Sequence, residues 1–251
     1  MILLLLIITG AILGSFFNLV IYRLPRNESI ILPRSHCIYC QHPLGFFDLI
    51  PLISFLILRR QCRYCHKPIP IRYFLCELLS IGILLFCWMQ FGIGYAFVKT
   101  ALFLFAILVI FFTDLETYII PNVMVFSLLV VGLGLNVWED RVLDTFLGMV
   151  IGFLSYFLVG FLAKLYYKKE AIGGGDMKLG AAIGAYWGVK IALLTWYLSF
   201  LYGGIIGLVL ILLKKKGTKD IIPFGPSIIL GFLTAFQFKN VLICFLSGGY
   251  F

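Results

Sequence analysis

Charged residues are scarce in this chain, and that scarcity excludes a soluble protein of its size. Asp, Glu, Lys and Arg make up 12% of the 251 residues, hydrophobic residues make up 62%, and the mean hydropathy is +1.07. A soluble domain carries about 25% charged residues, which supply its polar surface. The sequence therefore predicts an all-α, polytopic integral membrane protein.

The apolar residues form eight runs, most of them near the length of about 18 residues that crosses a bilayer core. These runs predict about eight transmembrane helices, with a lipid bilayer around them. The gap between the sixth and seventh runs is short, so these two runs could form either two spans or one long kinked segment. The eight runs lie near 1–22, 74–91, 96–113, 121–138, 143–166, 179–194, 196–213 and 225–246.

The first apolar run lacks the features of a cleaved signal peptide. No basic residue precedes it and no small-x-small cleavage site follows it, whereas Arg23 and Arg26 come after it. This order favours a retained first transmembrane helix, residues 1–22, with the N-terminus outside, over a signal peptide.

Basic residues outnumber acidic ones by 20 to 11, and their positions predict the orientation of the chain. If the polar stretch 23–72 is cytoplasmic, the loops 164–178 and 214–224 are cytoplasmic as well. Together these segments carry 16 of the 20 Lys and Arg residues, which is the usual positive-inside asymmetry. The net charge of +9 needs no nucleic-acid partner, because the basic residues form separate groups beside the membrane.

Two cysteine pairs, CIYC at 37–40 and CRYC at 62–65, lie in the polar stretch 23–72. Four thiolates in two CxxC pairs complete a tetrahedral zinc site and leave no open position for catalysis. The 21 residues between the pairs slightly exceed the usual zinc-ribbon spacing. Two disulfides or four unrelated thiols are the alternatives, although a cytoplasmic location disfavours disulfides. We expect a structural zinc bound by Cys37, Cys40, Cys62 and Cys65, and buried packing roles for Cys76, Cys87 and Cys244.

Two carboxylates stand out among the 11 acidic residues because of their position at the ends of apolar runs. Asp114 ends one run, and Asp176 begins another directly after Gly173, Gly174 and Gly175. Taken singly, each aspartate could be an ordinary residue at the end of a helix in the membrane interface. Ionisable groups at membrane depth are costly, however, and tend to be functional. The glycines would let an extended peptide approach Asp176. Glu116 is a rival to Asp114, although two residues along a helix it would point elsewhere.

Paired carboxylates suggest a specific chemistry. Two that lie close together share one proton, so that one activates water as a general base while the other acts as a general acid. This is the arrangement of an aspartic protease, which uses no metal and no nucleophilic Ser or Cys.

Six stretches of the chain together resemble the type IV prepilin leader peptidases, membrane aspartyl proteases of the GxGD class. These stretches are collinear and cover nearly the whole sequence. They are GSFFNLVIYRLPR at 14–26, the paired CxxC motifs, IRYFLCELLSI at 71–81, TDLETYIIPN at 113–122, GGGDMKLGAAIGAYWG at 173–188 and PFGPSIILG at 223–231.

The resemblance implies that Asp114 and Asp176 are the catalytic pair. It also implies three parts: a first transmembrane helix (1–22), a cytoplasmic zinc-binding domain (23–72) and a transmembrane aspartyl protease domain (73–251). The implied substrates are precursors of type IV pilins or type II secretion pseudopilins. They would lose a short basic leader, typically after a Gly, at the cytoplasmic face of the bacterial inner membrane. Many members also N-methylate the new N-terminus with S-adenosylmethionine, for which no binding residues follow from the sequence.

Two other functions fit paired membrane carboxylates. Such pairs also serve proton or cation transport, but transport sites usually lie at the bilayer midplane and not near one face. A zinc-stabilised assembly subunit of an envelope machine, without catalysis, is the other alternative. No oligomeric state follows from the sequence.

Overall fold

The computed structural model describes residues 1–168, 172–214 and 222–246, and contains helices and no β-strand in those ranges. The predicted all-α class is therefore confirmed. Short 3₁₀ turns occur at Leu24–Arg26 and Phe46–Leu49. The helices are α1 (Ile2–Arg23), α2 (Ile53–Ile57), α3 (Ile71–Phe91), α4 (Tyr95–Thr117), α5 (Asn122–Trp138), α6 (Val142–Tyr167), α7 (Gly174–Trp187), α8 (Val189–Leu212) and α9 (Gly225–Leu246).

Apart from the short α2, the helices in the described ranges match the eight predicted runs one to one. Five of them, α1, α3, α4, α6 and α8, are long and apolar enough to cross a membrane. Helix α5 and the part of α9 up to Phe238 are apolar but shorter. Helix α7 has 14 residues, about 21 Å at 1.5 Å per residue, which is less than the roughly 30 Å of a hydrocarbon core. The chain is therefore an integral membrane protein. By length and composition, five helices of its described ranges can cross the membrane.

The predicted boundary between the sixth and seventh runs is wrong in position. The chain forms two helices, but they are separated at Gly188, which has φ 83° and ψ 179°. The Asp144 carboxylate accepts the Val189 N–H at 3.1 Å and lies where a Cβ of residue 188 would be. Apolar residues continue on both sides of Gly188, so hydropathy gives no signal of this break. The loop segments 169–171 and 215–221, which carry several of the predicted cytoplasmic lysines, lie outside the described residues.

The chain divides into two compact units, Met1–Thr113 and Asp114–Phe251. In the first unit, Gly10 and Gly14 of α1 lie directly against the backbone of Ile81 and Glu77 of α3, and a Cβ at either glycine would overlap it. Small residues four apart allow this close helix packing within a membrane. The predicted burial of Cys76 and Cys87 is confirmed, whereas the side chain of Cys244 lies outside the described residues.

In the second unit, close packing fixes α7, the helix that begins beside Asp176. Gly148 and Gly152 of α6 face Gly184 and Gly180 of α7 so closely that a Cβ at any of the four would overlap neighbouring atoms. On another side of α7, the buried Asn136 amide of α5 donates to the carbonyls of Ala185 and Tyr186, at 2.8 and 3.1 Å. The helix is therefore held by backbone contacts that leave it little freedom to shift.

Candidate active site and metal site

Asp114 lies in the last turn of α4, and its side chain is held by the start of another helix. The residue is 4% exposed, and its Oδ2 accepts the Gly225 N–H at 3.0 Å. Gly225 is the first residue of α9, so its N–H has no partner within the helix, and Pro226 after it has no N–H at all. The carboxylate therefore occupies the positive end of α9, which favours its negative charge.

Asp176 is the third residue of α7 and lies at the positive end of its own helix. Its Oδ2 accepts the Gly173 N–H at 3.1 Å, the reach-back contact of a residue at this position. The side chain is 8% exposed. The sequence-based placement of Asp176 at the start of an apolar helix is confirmed.

Both aspartates belong to the second unit, and both are buried. Among the described residues, each carboxylate has one hydrogen bond, and in both it is made by Oδ2. The other oxygen of each is therefore available to water or to a shared proton. Glu116, by contrast, is exposed on the surface of α4, so the geometry favours Asp114 as the partner of Asp176.

The three glycines before Asp176 have different surroundings. A Cβ at Gly174 would meet nothing within 4 Å, whereas one at Gly175 would lie 3.0 Å from the Cβ of Ile120. Gly173 has an ordinary extended backbone, with φ −71°. Open space at Gly174 agrees with the predicted approach of a substrate backbone, while Gly175 has a packing reason to be small.

The four cysteines of the two CxxC motifs converge on one point. Their Sγ atoms all lie within 4.8 Å of one another, and those of Cys37 and Cys65 are 3.8 Å apart. A zinc ion with Zn–S distances of about 2.3 Å places its sulfur ligands about 3.8 Å apart. The cluster therefore has the size and donor set of a metal site, and the described cysteines are free thiols, not disulfides.

The backbone repeats itself around the two cysteine pairs. The Cys37 N–H donates to the His42 carbonyl at 3.0 Å, and the Cys62 N–H donates to the Lys67 carbonyl at 2.9 Å. Burial raises the pKa of the Cys62 thiol. Hydrogen bonds from the backbone of Cys65 and Tyr64 have the opposite effect and outweigh burial, so the pKa falls to about 7. A backbone hydrogen bond from Lys67 lowers the pKa of Cys65, but burial and the neighbouring thiols raise it to about 11. The neighbouring thiols therefore favour the thiolate of Cys62 and the protonated form of Cys65. A bound cation would favour the thiolate form of all four cysteines.

Comparison with known proteins identifies the family. The Bacterial Peptidase A24 N-terminal domain matches residues 8–91, and the Type IV leader peptidase family matches residues 101–208. The Prepilin leader peptidase/N-methyltransferase of Myxococcus xanthus is 35% identical over 210 residues, 82% of this chain and 62% of that protein. The chain belongs to the type IV leader peptidase family.

For two other relatives of the same name, the match covers a larger share of the relative's length. That of Aeromonas hydrophila is 33% identical over 240 residues, 85% of this chain and 83% of that protein. That of Bacillus subtilis is 31% identical over 242 residues, 96% of each. No solved structure matches the chain significantly.

This leader peptidase family member has site residues that sequence reasoning did not assign. Gly225 holds Asp114, and Ile120 packs on Gly175. The Lys178 ammonium donates to Asn122 Oδ1 at 2.9 Å, which ties the first turns of α7 and α5 together. All lie within stretches that carry the family resemblance, but a single glycine or asparagine there gives no signal of its partner.

Substitutions at the two glycines should separate substrate access from packing. We expect Gly174→Leu to leave the melting temperature within a few degrees of wild type while raising KM severalfold, because its side chain enters open space where substrate would lie. Gly175→Val should instead lower the melting temperature, because it presses on Ile120. Thermal melts and cleavage kinetics measure both effects. An unchanged KM in Gly174→Leu would remove Gly174 from the substrate path.

Metal analysis should find about one zinc per chain in protein purified without chelators. Cys37→Ser and Cys62→Ser should lose the metal, and the buried Cys87→Ser should keep it as the matched control. Since the aspartates lie elsewhere in the chain, we expect leader cleavage to persist at a reduced rate without zinc. Metal-free wild-type protein with four titratable thiols would refute the zinc site.

Proposed function

We propose that this protein is an aspartic endopeptidase that removes the basic leader from precursors of type IV pilins or type II secretion pseudopilins. The observation that carries the proposal is the pair of buried carboxylates in the second unit, Asp114 and Asp176, each held by an N–H at a helix N-terminus. The names of the relatives, which include a Type 4 prepilin-like proteins leader peptide-processing enzyme of Escherichia coli, support the same substrate class.

The two carboxylates share the catalytic work. With one proton between them, the ionised aspartate takes a proton from water, and that water attacks the scissile carbonyl carbon. The protonated aspartate then gives its proton to the leaving amide nitrogen, so the pair ends with one proton again. The Gly225 and Gly173 N–H groups keep the two carboxylates in place through these steps.

The substrate would enter from the bilayer. The apolar segment of the precursor lies beside the helices that carry Asp114 and Asp176, and its basic leader stays in the cytoplasm. This arrangement rests on the positive-inside orientation in the bacterial inner membrane. In that orientation the N-terminus is outside and the zinc-binding domain, residues 23–72, is in the cytoplasm. Both the leader and the predicted inner face are basic, so recognition depends on the apolar segment and the residues around the cut.

We propose two further functions. The cluster of Cys37, Cys40, Cys62 and Cys65 holds a structural zinc, which stabilises the zinc-binding domain. The protein also N-methylates the new N-terminus, as the names of its relatives suggest, and S-adenosylmethionine then supplies the methyl group.

The proposal is tested by incubating the purified protein in detergent with a full-length precursor and identifying the products by mass spectrometry. We expect one cut that releases the basic leader, and no cut by the Asp176→Asn protein. Proton flux through proteoliposomes without cleavage would favour a transporter. Pilus assembly supported equally well by wild type and a folded Asp176→Asn variant would favour a scaffold.

A further inference from the structure

Tyr156 of α6 is a buried aromatic residue of the second unit that packs against the helix carrying Asp176. It is 1% exposed, and it comes one turn after Gly152, one of the glycines that bring α6 against α7. A Cβ at Gly180 of α7 would lie 2.5 Å from Cδ2 and 2.6 Å from Cε2 of the Tyr156 ring. Gly180 follows Asp176 by four residues, or about one helical turn. The ring therefore contacts the turn of α7 that follows this carboxylate.

The same ring also contacts the residue that begins α9. The rings of Tyr156 and Phe224 meet edge to face, with their centroids 6.4 Å apart. The Phe224 carbonyl accepts the Ser227 N–H at 3.0 Å, so Phe224 is the residue from which α9 starts. The next N–H in the chain is that of Gly225, which donates to Asp114. A shift of Phe224 would therefore move the N–H that holds Asp114.

Helix α8 fixes the orientation of the Tyr156 ring. The Tyr156 hydroxyl lies 3.0 Å from Ser199 Oγ. Ser199 donates its own hydroxyl hydrogen to the Trp196 carbonyl at 2.7 Å, so Tyr156 is the donor in the bond between the two hydroxyls. The ring of Phe200, beside Ser199, lies 6.0 Å from that of Tyr156 and 5.3 Å from that of Phe224. Both the hydroxyl and the ring of Tyr156 are thus held by α8.

We propose that Tyr156 is a positioning residue for the candidate catalytic pair: its ring, held by α8, keeps the first turns of α7 and the start of α9 in place, and so places Asp176 and Asp114 for catalysis. This rests on the proposed peptidase function. Tyr156 donates its hydroxyl to Ser199, so it acts through packing and not as a proton donor to the substrate. Close-packed interiors transmit such a displacement, and about 1 Å at a catalytic group can cost 100-fold in rate.

Removing the ring should reduce the chemical step more than substrate binding. We expect Tyr156→Leu to lower kcat for leader cleavage about 10- to 100-fold with KM within twofold of wild type. Tyr156→Phe keeps the ring, and its kcat should stay within about threefold of wild type. The matched control is Phe232→Leu, which changes an equally buried aromatic residue of α9 that packs against the rings of Trp187 and Phe236. It should lower the melting temperature comparably and leave the kcat of the folded protein within about twofold.

Combination with Gly225→Val separates positioning from a general loss of packing. Gly225→Val displaces Asp114 directly, because its Cβ would lie 2.6 Å from Asp114 Oδ2. Independent losses multiply, whereas residues that act through one contact lose less in combination. We expect the kcat loss of the Tyr156→Leu, Gly225→Val protein to be at least fivefold smaller than the product of the two single losses. Steady-state kinetics and thermal melts on the same preparations give both quantities.

Several results would overturn the role of Tyr156: wild-type kcat in Tyr156→Leu, an equal kcat loss in Phe232→Leu, or single losses that multiply in the double variant. If Tyr156→Leu does not fold, Phe224→Leu removes the same ring contact from the side of α9, and wild-type kcat in that variant would be equally decisive. Wild-type protein that does not cut the precursor would contradict the proposed function itself. Equal rates in wild type and Tyr156→Leu would contradict only the role of Tyr156.

Discussion

Asp114→Asn and Asp176→Asn should each lower the rate of leader cleavage by about 10²- to 10⁴-fold or more, because an amide can neither take a proton from water nor give one to the leaving nitrogen. Asparagine keeps the size of the side chain and an oxygen that can accept the Gly225 or Gly173 N–H. The loss should therefore appear in kcat with little change in the melting temperature. Initial rates on a purified precursor, quantified by mass spectrometry, give the comparison.

The matched control is Glu116→Gln, which removes an exposed carboxylate two residues from Asp114 on the same helix. It should retain most of the activity. Full activity in either aspartate variant would show that the pair is not catalytic, and a loss in Glu116→Gln equal to that in Asp114→Asn would return Glu116 to the role that sequence reasoning left open.

Gly225→Val should lower kcat by roughly 100-fold although residue 225 has no reactive group. A Cβ at this position would lie 2.6 Å from Asp114 Oδ2 and 3.1 Å from its Cγ, so the carboxylate must move away from the N–H that holds it. A displacement of about 1 Å at a catalytic group can cost two orders of magnitude. Steady-state kinetics and circular dichroism, recorded on the same sample, separate this effect from loss of fold.

Gly134→Ala is the control for Gly225→Val. Gly134 also lies in a helix of the second unit, and a Cβ there would meet nothing within 4 Å. It should leave both kcat and the helical signal unchanged. Wild-type kcat in Gly225→Val would mean that the contact between Gly225 and Asp114 does not position the carboxylate.

The helices were predictable because the hydrocarbon thickness sets the length of an apolar run, and each run became one helix. The break at Gly188 was not predictable, because the residues on both sides are apolar and the constraint comes from Asp144, 44 positions away in the sequence. The short length of α7 follows from the same break.

The candidate site was predictable only in part. Asp114 and Asp176 stand out in sequence because a carboxylate at the end of an apolar run is rare, and the cysteines stand out by their spacing. Gly225 does not stand out in the sequence, because a Gly-Pro pair before an apolar run is typical of an ordinary helix start. Its contact with Asp114 joins residues 111 positions apart.

The pH dependence of kcat/KM for leader cleavage tests the shared-proton pair most directly. If Asp114 and Asp176 act as base and acid with one proton between them, the profile is bell-shaped, and its two apparent pKa values belong to the pair jointly. Both limbs should disappear from the residual activity of Asp114→Asn. A rate that stays flat across the acidic and neutral range would contradict the dyad.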